Sequence, residues 1–181
     1  MNRKIRWITE TALLLSLLVT LQAATRGFGQ MVTGSCVNAV LTVAALVGGC
    51  GCGVTVALIS PVLAYLLGIA PQILVVPAIM VGNTVFVVVL HGISGKESRP
   101  VWKQIAAWLA AATAKFAALC GIVRGVLCGL LAEPLLASGA LKPPMLSALP
   151  AMFGFPQLLT ALIGGGVALL IVPMLRKALR R

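Results

Sequence analysis

Helix-length runs of apolar residues, broken only by short stretches of glycine, proline and charge, occupy most of this chain and restrict the solvent in which it can fold. At 60% hydrophobic and 9% charged residues, with a mean hydropathy of +1.10, 181 residues hold too little polar surface to cover such runs in water. The chain is therefore read as an integral membrane protein. Lipid offers the backbone no hydrogen-bond partner, so spanning segments of this length are helices. A hydrocarbon core of about 30 Å needs about 20 helical residues. Dividing the chain at its glycine, proline and charge signals gives six spans, at roughly 7–25, 32–49, 52–69, 73–93, 102–125 and 150–175. Together they make one all-α transmembrane domain over residues 1–181.

The breaks carry their own information. The second and third spans are joined only by Gly48-Gly49-Cys50-Gly51-Cys52-Gly53, and the third and fourth by Ile69-Ala70-Pro71-Gln72. The longest connection, Leu131 to Pro150, holds Glu133-Pro134 and Lys142-Pro143-Pro144 and has room for a short interfacial helix or a lid. The basic start Arg3-Lys4-Arg6 before an apolar run also fits a secretory signal, with Ala23 and Thr25 as small residues near a cleavage site. The run is long enough to cross the bilayer and further spans follow, so it reads as a retained first helix.

Basic residues fall in alternate connections. If the first span enters from the cytoplasm, that side holds Arg3, Lys4, Arg6, Lys96, Arg99, Lys103, Arg176, Lys177, Arg180 and Arg181, against Arg26 and Lys142 outside. Ten against two is a positive-inside bias that places both termini in the cytoplasm. The net charge of +11 is thus explained by topology and lipid contact, and nucleic acid is not expected as a partner.

Depth then separates the polar residues. Gln22, Asn38, Gln72, Asn83, Lys115, Arg124 and Gln157 fall at mid-membrane or in the outer half, while the inner half offers only Glu10 and His91. Buried amides and ammonium groups in lipid must face a partner or a cavity. The asymmetry predicts a pocket that opens outward. Gly34, Asn38 and Thr42 form a small-polar stripe on the second span, as Gln157, Thr160, Ala161 and Gly164 do on the sixth; ordinary interhelical hydrogen bonding is the alternative use of such stripes. Lys115 lies too deep to snorkel and lacks an intramembrane acid, so it is read as a contact for a ligand or counter-ion. Arg124 sits nearer the interface, where snorkelling is the competing reading. The two are nine residues apart, about 180° around a regular helix, and line one pocket only if Gly121 or Gly125 bends the chain.

Several chemistries lack their residues. No phosphate-binding Gly-x-x-x-x-Gly-Lys loop, Ser-His-Asp set or intramembrane acidic pair occurs, so no catalytic residue is assigned and an enzyme is not expected. Cys36, Cys50, Cys52, Cys120 and Cys128 lie in or beside apolar runs, where cysteine is usually a small buried hydrophobe. Neither a disulfide framework, a metal site nor a cofactor is implied; His91 has no second ligand at metal spacing, and Cys50-Gly-Cys52 lacks further ligands. Ser60-Pro61 interrupts the third span and permits a kink. Small residues repeat every fourth position on the first span, at Ala12, Ser16, Thr20 and Ala24, and on the fifth, at Ala106, Ala110, Ala114 and Ala118. Such ridges admit a second helix closely, from the bundle or from another subunit.

Taken together, the sequence resembles the substrate-binding S components of energy-coupling factor (ECF) transporters, small bacterial six-helix proteins. The resemblance covers most of the chain. It rests on the basic start leading into Ala12, Ser16 and Thr20; the stretch Gly29-Gln-Met-Val-Thr-Gly-Ser-Cys-Val-Asn-Ala-Val-Leu41; the Gly-rich turn into Ile59-Ser-Pro-Val-Leu-Ala-Tyr-Leu-Leu-Gly68; and Pro77-Ala-Ile-Met-Val-Gly-Asn83. It implies a plasma-membrane subunit that captures a vitamin-like micronutrient from outside and delivers it through a coupling subunit and two cytoplasmic ATPases. It also implies that Ala12, Ser16 and Thr20 are the docking ridge for the coupling subunit, with serine and threonine where alanines are usual. Gln30, Asn83, Lys115 and Gln157 would lie near substrate. The expected binding set is therefore Gln30, Asn38, Gln72, Asn83, Lys115, Arg124 and Gln157. The competing readings are a stand-alone small oligomeric transporter or channel, and an intramembrane enzyme using His91 or a cysteine.

Overall fold

With no water to satisfy the backbone inside lipid, hydrogen bonds must close within each segment, and every regular element among the described residues is helical. The computed structural model describes residues 3–69, 72–94 and 100–179. Eight α-helices follow in order: α1 (Arg3–Thr25), α2 (Gln30–Val43), α3 (Cys50–Leu66), α4 (Val76–Ser94), α5 (Val101–Cys120), α6 (Ala132–Ala137), α7 (Pro143–Met152) and α8 (Phe155–Leu179). Short 3-10 or π-helical turns extend several of them. Five resulting segments are long and apolar enough to cross a membrane: Lys4–Phe28, Gln30–Gly48, Ile73–Ser94, Val101–Leu130 and Pro143–Leu179. This is a multi-pass membrane protein. α3 is apolar but shorter, 17 residues, a rise of about 26 Å. Of the basic residues used for orientation, Lys96, Arg99, Arg180 and Arg181 lie outside the described residues, as do Ala70 and Pro71 of the expected tight connection.

The element ends explain where the sequence reading and the structure differ. The third span was expected to reach residue 69, but α3 stops at Leu66 because Gly68, at φ 66°, turns the chain. The Ile69 N–H then donates to the Ala64 carbonyl and the Gly68 N–H to that of Tyr65, the paired bonds that close a helix C-terminus on a left-handed glycine. In the glycine-rich link before α3, a single residue makes the turn: Gly49 adopts φ 88° and ψ 174°, a conformation essentially closed to side-chain-bearing residues. The fifth span runs past its expected end at 125. α5 continues as a π-helix over Gly121–Leu130, so the two glycines suspected of bending the chain lie where the helix widens. The long connection that follows folds into α6 and α7.

Packing is set by small residues. α2 lies along α8, where Gly34 faces Thr160 and Gly164 sits against the Ser35 and Ala39 backbone. α4 lies along α5, with Gly82 beneath Leu119, and α3 meets α4 where Gly53 admits Val87. Trp108 of α5 covers Gly165 of α8 and donates from Nε1 to the Ala161 carbonyl, 3.2 Å away. Leu18, Leu41, Val56, Phe86 and Ala111 form the centre of one apolar cluster, and Val75, Leu119, Val123, Leu149 and Phe153 a second one, under α7.

The π-turn Ala44–Gly48 at the end of α2 leaves carbonyls that other helices satisfy. His91 of α4 bonds through Nδ1 to the Ala45 oxygen at 2.8 Å, and Arg176 of α8 donates from Nη2 to that of Leu46 at 2.7 Å. His91 is therefore a cap on a neighbouring helix end. The ridge Ala12, Ser16, Thr20 and Ala24 is exposed on the outside of α1, whose opposite face carries Thr11 and Leu18 inward. Ala106 and Ala110 are likewise exposed.

Candidate functional site

Residues four apart share one helix face, and on α5 that face reads Ala107, Ala111, Lys115, Leu119, all buried. The two alanines let neighbouring helices approach, and the lysine interrupts the apolar stripe. Lys115 is 2% exposed. Its Nζ donates to Asn38 Oδ1 of α2 at 2.7 Å and to Asn83 Oδ1 of α4 at 2.8 Å, and it lies 5.7 Å from the Phe86 ring centre. Three helices thus converge on one ammonium group. Each partner is neutral. An ammonium carries three N–H donors, and two are used by the amides.

The Asn38 amide is held in the orientation that this requires. Its Nδ2 donates to the Gly34 carbonyl at 2.8 Å and to Thr160 Oγ1 of α8 at 3.3 Å, which leaves Oδ1 turned to Lys115. Thr160 in turn donates to the Gln157 carbonyl at 3.1 Å, so it can only accept from Asn38. Thr160→Val keeps the shape and removes that acceptor. We expect a loss of about 1 kcal/mol in stability, the usual net worth of one such bond, seen as a lower melting temperature of the detergent-purified protein.

The ammonium lies at the wall of a cavity of about 250 Å³. Its wall draws on the later halves of α1, α3 and α5 and the earlier parts of α2, α4 and α8. It therefore sits at the end of the bundle that carries residues 26–29, 67–69 and 131–154, away from residues 3 and 179. Gln30, Asn38, Asn83, Lys115 and Gln157 all line it. Gln30 Nε2 donates to the Met152 carbonyl at 2.7 Å, tying the start of α2 to the end of α7, and Met152 and Phe153 complete the wall. The end of the long connection thus forms part of the cavity wall. No carboxylate among the described residues lines it; Glu10 pairs with Arg6 at 2.7 Å near the start of α1.

Two residues of the expected set stand elsewhere. Gln72 bonds through Nε2 to Met145 Sδ at 2.7 Å, and Arg124 is exposed beside Gly154; neither lines the cavity. The π-helical turn does not bring Arg124 round to the Lys115 face. Conversely, Arg26, Thr33 and Ser60 line the cavity and were not in that set, nor was Gln22, which depth alone had marked. By sequence, Arg26 falls in a connection and Ser60 stands out only beside its proline. A serine inside an apolar span carries little signal without its neighbours.

The five cysteines are free, and no cluster of three or more His, Cys, Asp or Glu gathers among the described residues. No family model, curated protein or solved structure matches the chain. What the arrangement can do follows from its chemistry. A buried lysine with one donor to spare, next to amides and a small cavity, can bind an anionic group of a small molecule.

Proposed function

We propose that the chain is the substrate-capture subunit of a membrane importer, taking a small solute with an acid group into the cavity beside Lys115. The observation that carries this is the ammonium itself: it is buried, held by two amide oxygens and faced by no carboxylate among the described residues. A charge kept inside a membrane protein at several kcal/mol of cost marks a functional site by default, and the missing counter-charge is then the ligand's. The positive-inside pattern orients the cavity to the outside. On that orientation α3 is the third of six crossings, its short span accommodated by local thinning of the bilayer.

The wider assignment rests on the sequence resemblance to ECF S components: a bacterial plasma-membrane protein that hands its micronutrient to a coupling subunit driven by two ATPases. The exposed ridge Ala12, Ser16 and Thr20 is then the surface offered to that subunit. The test is purification from native membranes in mild detergent. The expected result is a retained small acid, near one per chain and chemically unchanged, together with a second membrane protein and two ATPases. Retention of the same molecule by Lys115→Met at equal occupancy refutes the site. Chemical conversion of the molecule by the isolated chain refutes the class.

A further inference from the structure

Two side chains that line the cavity each hold a polar atom that belongs to neither the Lys115 cradle nor any other bond among the described residues. Ser60 Oγ of α3 and Gln22 Oε1 of α1 are buried without a hydrogen-bond partner, and both residues line the cavity. Ser60 is 1% exposed. A hydroxyl on a helix has a ready local partner in the carbonyl four residues back. Thr9, Thr11, Ser35, Thr42, Thr55 and Thr113 all take it. Ser60 leaves the Val56 carbonyl alone. Thr84, Ser94, Gln72 and Arg176 also hold a buried unpartnered atom, but none of them lines the cavity.

Buried polar groups in folded proteins are almost always paired, and lipid supplies no water to a helix from outside. An orphaned hydroxyl and an orphaned amide oxygen, both on residues that line the cavity, therefore call for a partner that enters it. Their chemistry specifies it. The Gln22 oxygen only accepts, whereas the Ser60 hydroxyl can donate. A ligand hydroxyl, or the N–H and C=O edge of an amide, offers the complement of each. The space of about 250 Å³ suits a small molecule.

We infer that the cavity recognises two ends of one small organic acid: the acid group at Lys115, and a hydroxyl or amide group at Ser60 and Gln22. This deepens the capture reading and rests on it. Discrimination at such a site comes from the analogue that lacks the group, which leaves both protein atoms unpaired again.

The experiment uses the full-length protein in nanodiscs with two readouts. Small molecules released from it on denaturation are identified by mass spectrometry, and binding is titrated with linear ω-hydroxy acids of three to eight carbons and the corresponding unsubstituted acids. The expected released molecule carries an acid group together with a hydroxyl or amide. At least one hydroxy acid binds tenfold or more tightly than its unsubstituted counterpart. Ser60→Ala and Gln22→Met each remove that preference, and each leaves the ligand-free melting temperature unchanged or raised, because an orphaned atom has gone. A purely structural serine would instead lower it. Binding of acids with no preference for the hydroxylated member, or a preference that survives both variants, overturns the inference and leaves capture by Lys115 standing. A wild-type protein that releases no small molecule and binds no member of the panel overturns both.

Discussion

Lys115→Met is expected to fold, insert and melt close to the wild-type temperature while losing at least a hundredfold in ligand affinity. Removing a lysine charge from the middle of a membrane helix relieves about 2.5–3.5 kcal/mol. It also orphans the Asn38 and Asn83 side-chain oxygens, at about 1–3 kcal/mol each. These terms nearly cancel, so stability is the wrong place to look for the role of this residue. The reverse change is expected to behave oppositely. Replacing both Asn38 and Asn83 with leucine leaves the ammonium buried without a partner, which costs about 3–5 kcal/mol and lowers the yield of folded protein. Adding Lys115→Met to that pair should restore stability without restoring binding. Thermal melting and ligand titration across these variants separate the cost of the charge from its use. A Lys115→Met protein that binds ligand as the wild type does would show the lysine to be structural.

Gly164→Val should be among the most damaging single changes away from the cavity. A Cβ at this position would overlap the Ser35 carbonyl oxygen and stand 2.9 Å from the Ala39 nitrogen, both of them α2 backbone. Backbone cannot swing aside as a side chain can, so α2 and α8 must separate. Overpacking of this kind costs about 1–3 kcal/mol where side chains yield, and this site lies at or above the upper end. Separation also pulls Thr160 from Asn38 and the amide from Lys115, so ligand affinity is expected to fall along with the melting temperature. Gly92→Ala is the matched control. An added Cβ there meets nothing within 4 Å, and the gain in helix propensity is about 1 kcal/mol at most. Equal melting temperatures for the two variants would mean that the α2–α8 contact does not hold the bundle together.

The small-residue stripes illustrate how far pattern alone reaches. Gly34, Asn38 and Thr42 on α2, and Thr160, Ala161 and Gly164 on α8, were legible as faces turned from lipid because their spacing matches the helical repeat. That the two faces pack on one another was not legible. It depends on which glycine meets which side chain, as at Gly34 and Thr160. The ridge at Ala12, Ser16 and Thr20 has the same spacing yet lies on the outside of α1, so spacing cannot say whether a smooth face is already used.

Depth in the membrane has the same reach and the same blind spot. It grouped Gln72 and Arg124 with Asn83 and Lys115 because it measures distance along a helix and carries no information about direction around it. Gln72 lies at the end of a connection and turns to Met145, and Arg124 lies on an exposed face of a widened helix. In the sequence Ser60 stands out only beside Pro61, as part of a kink. Only its unfilled bond, visible once its neighbours are in place, sets it apart.

Hydropathy and charge, each a property of single residues summed along the chain, were enough to determine the solvent, the helical class and the residues that do not belong in lipid, Lys115 first among them. Tertiary structure alone decided what those residues meet: two amides and a cavity for Lys115, no partner among the described residues for Ser60 Oγ and Gln22 Oε1, and the outer surface for the α1 ridge. The division has a physical cause. Transfer into lipid is additive over residues, whereas close packing depends on the volumes of side chains far apart in sequence and on the azimuth at which each helix presents them.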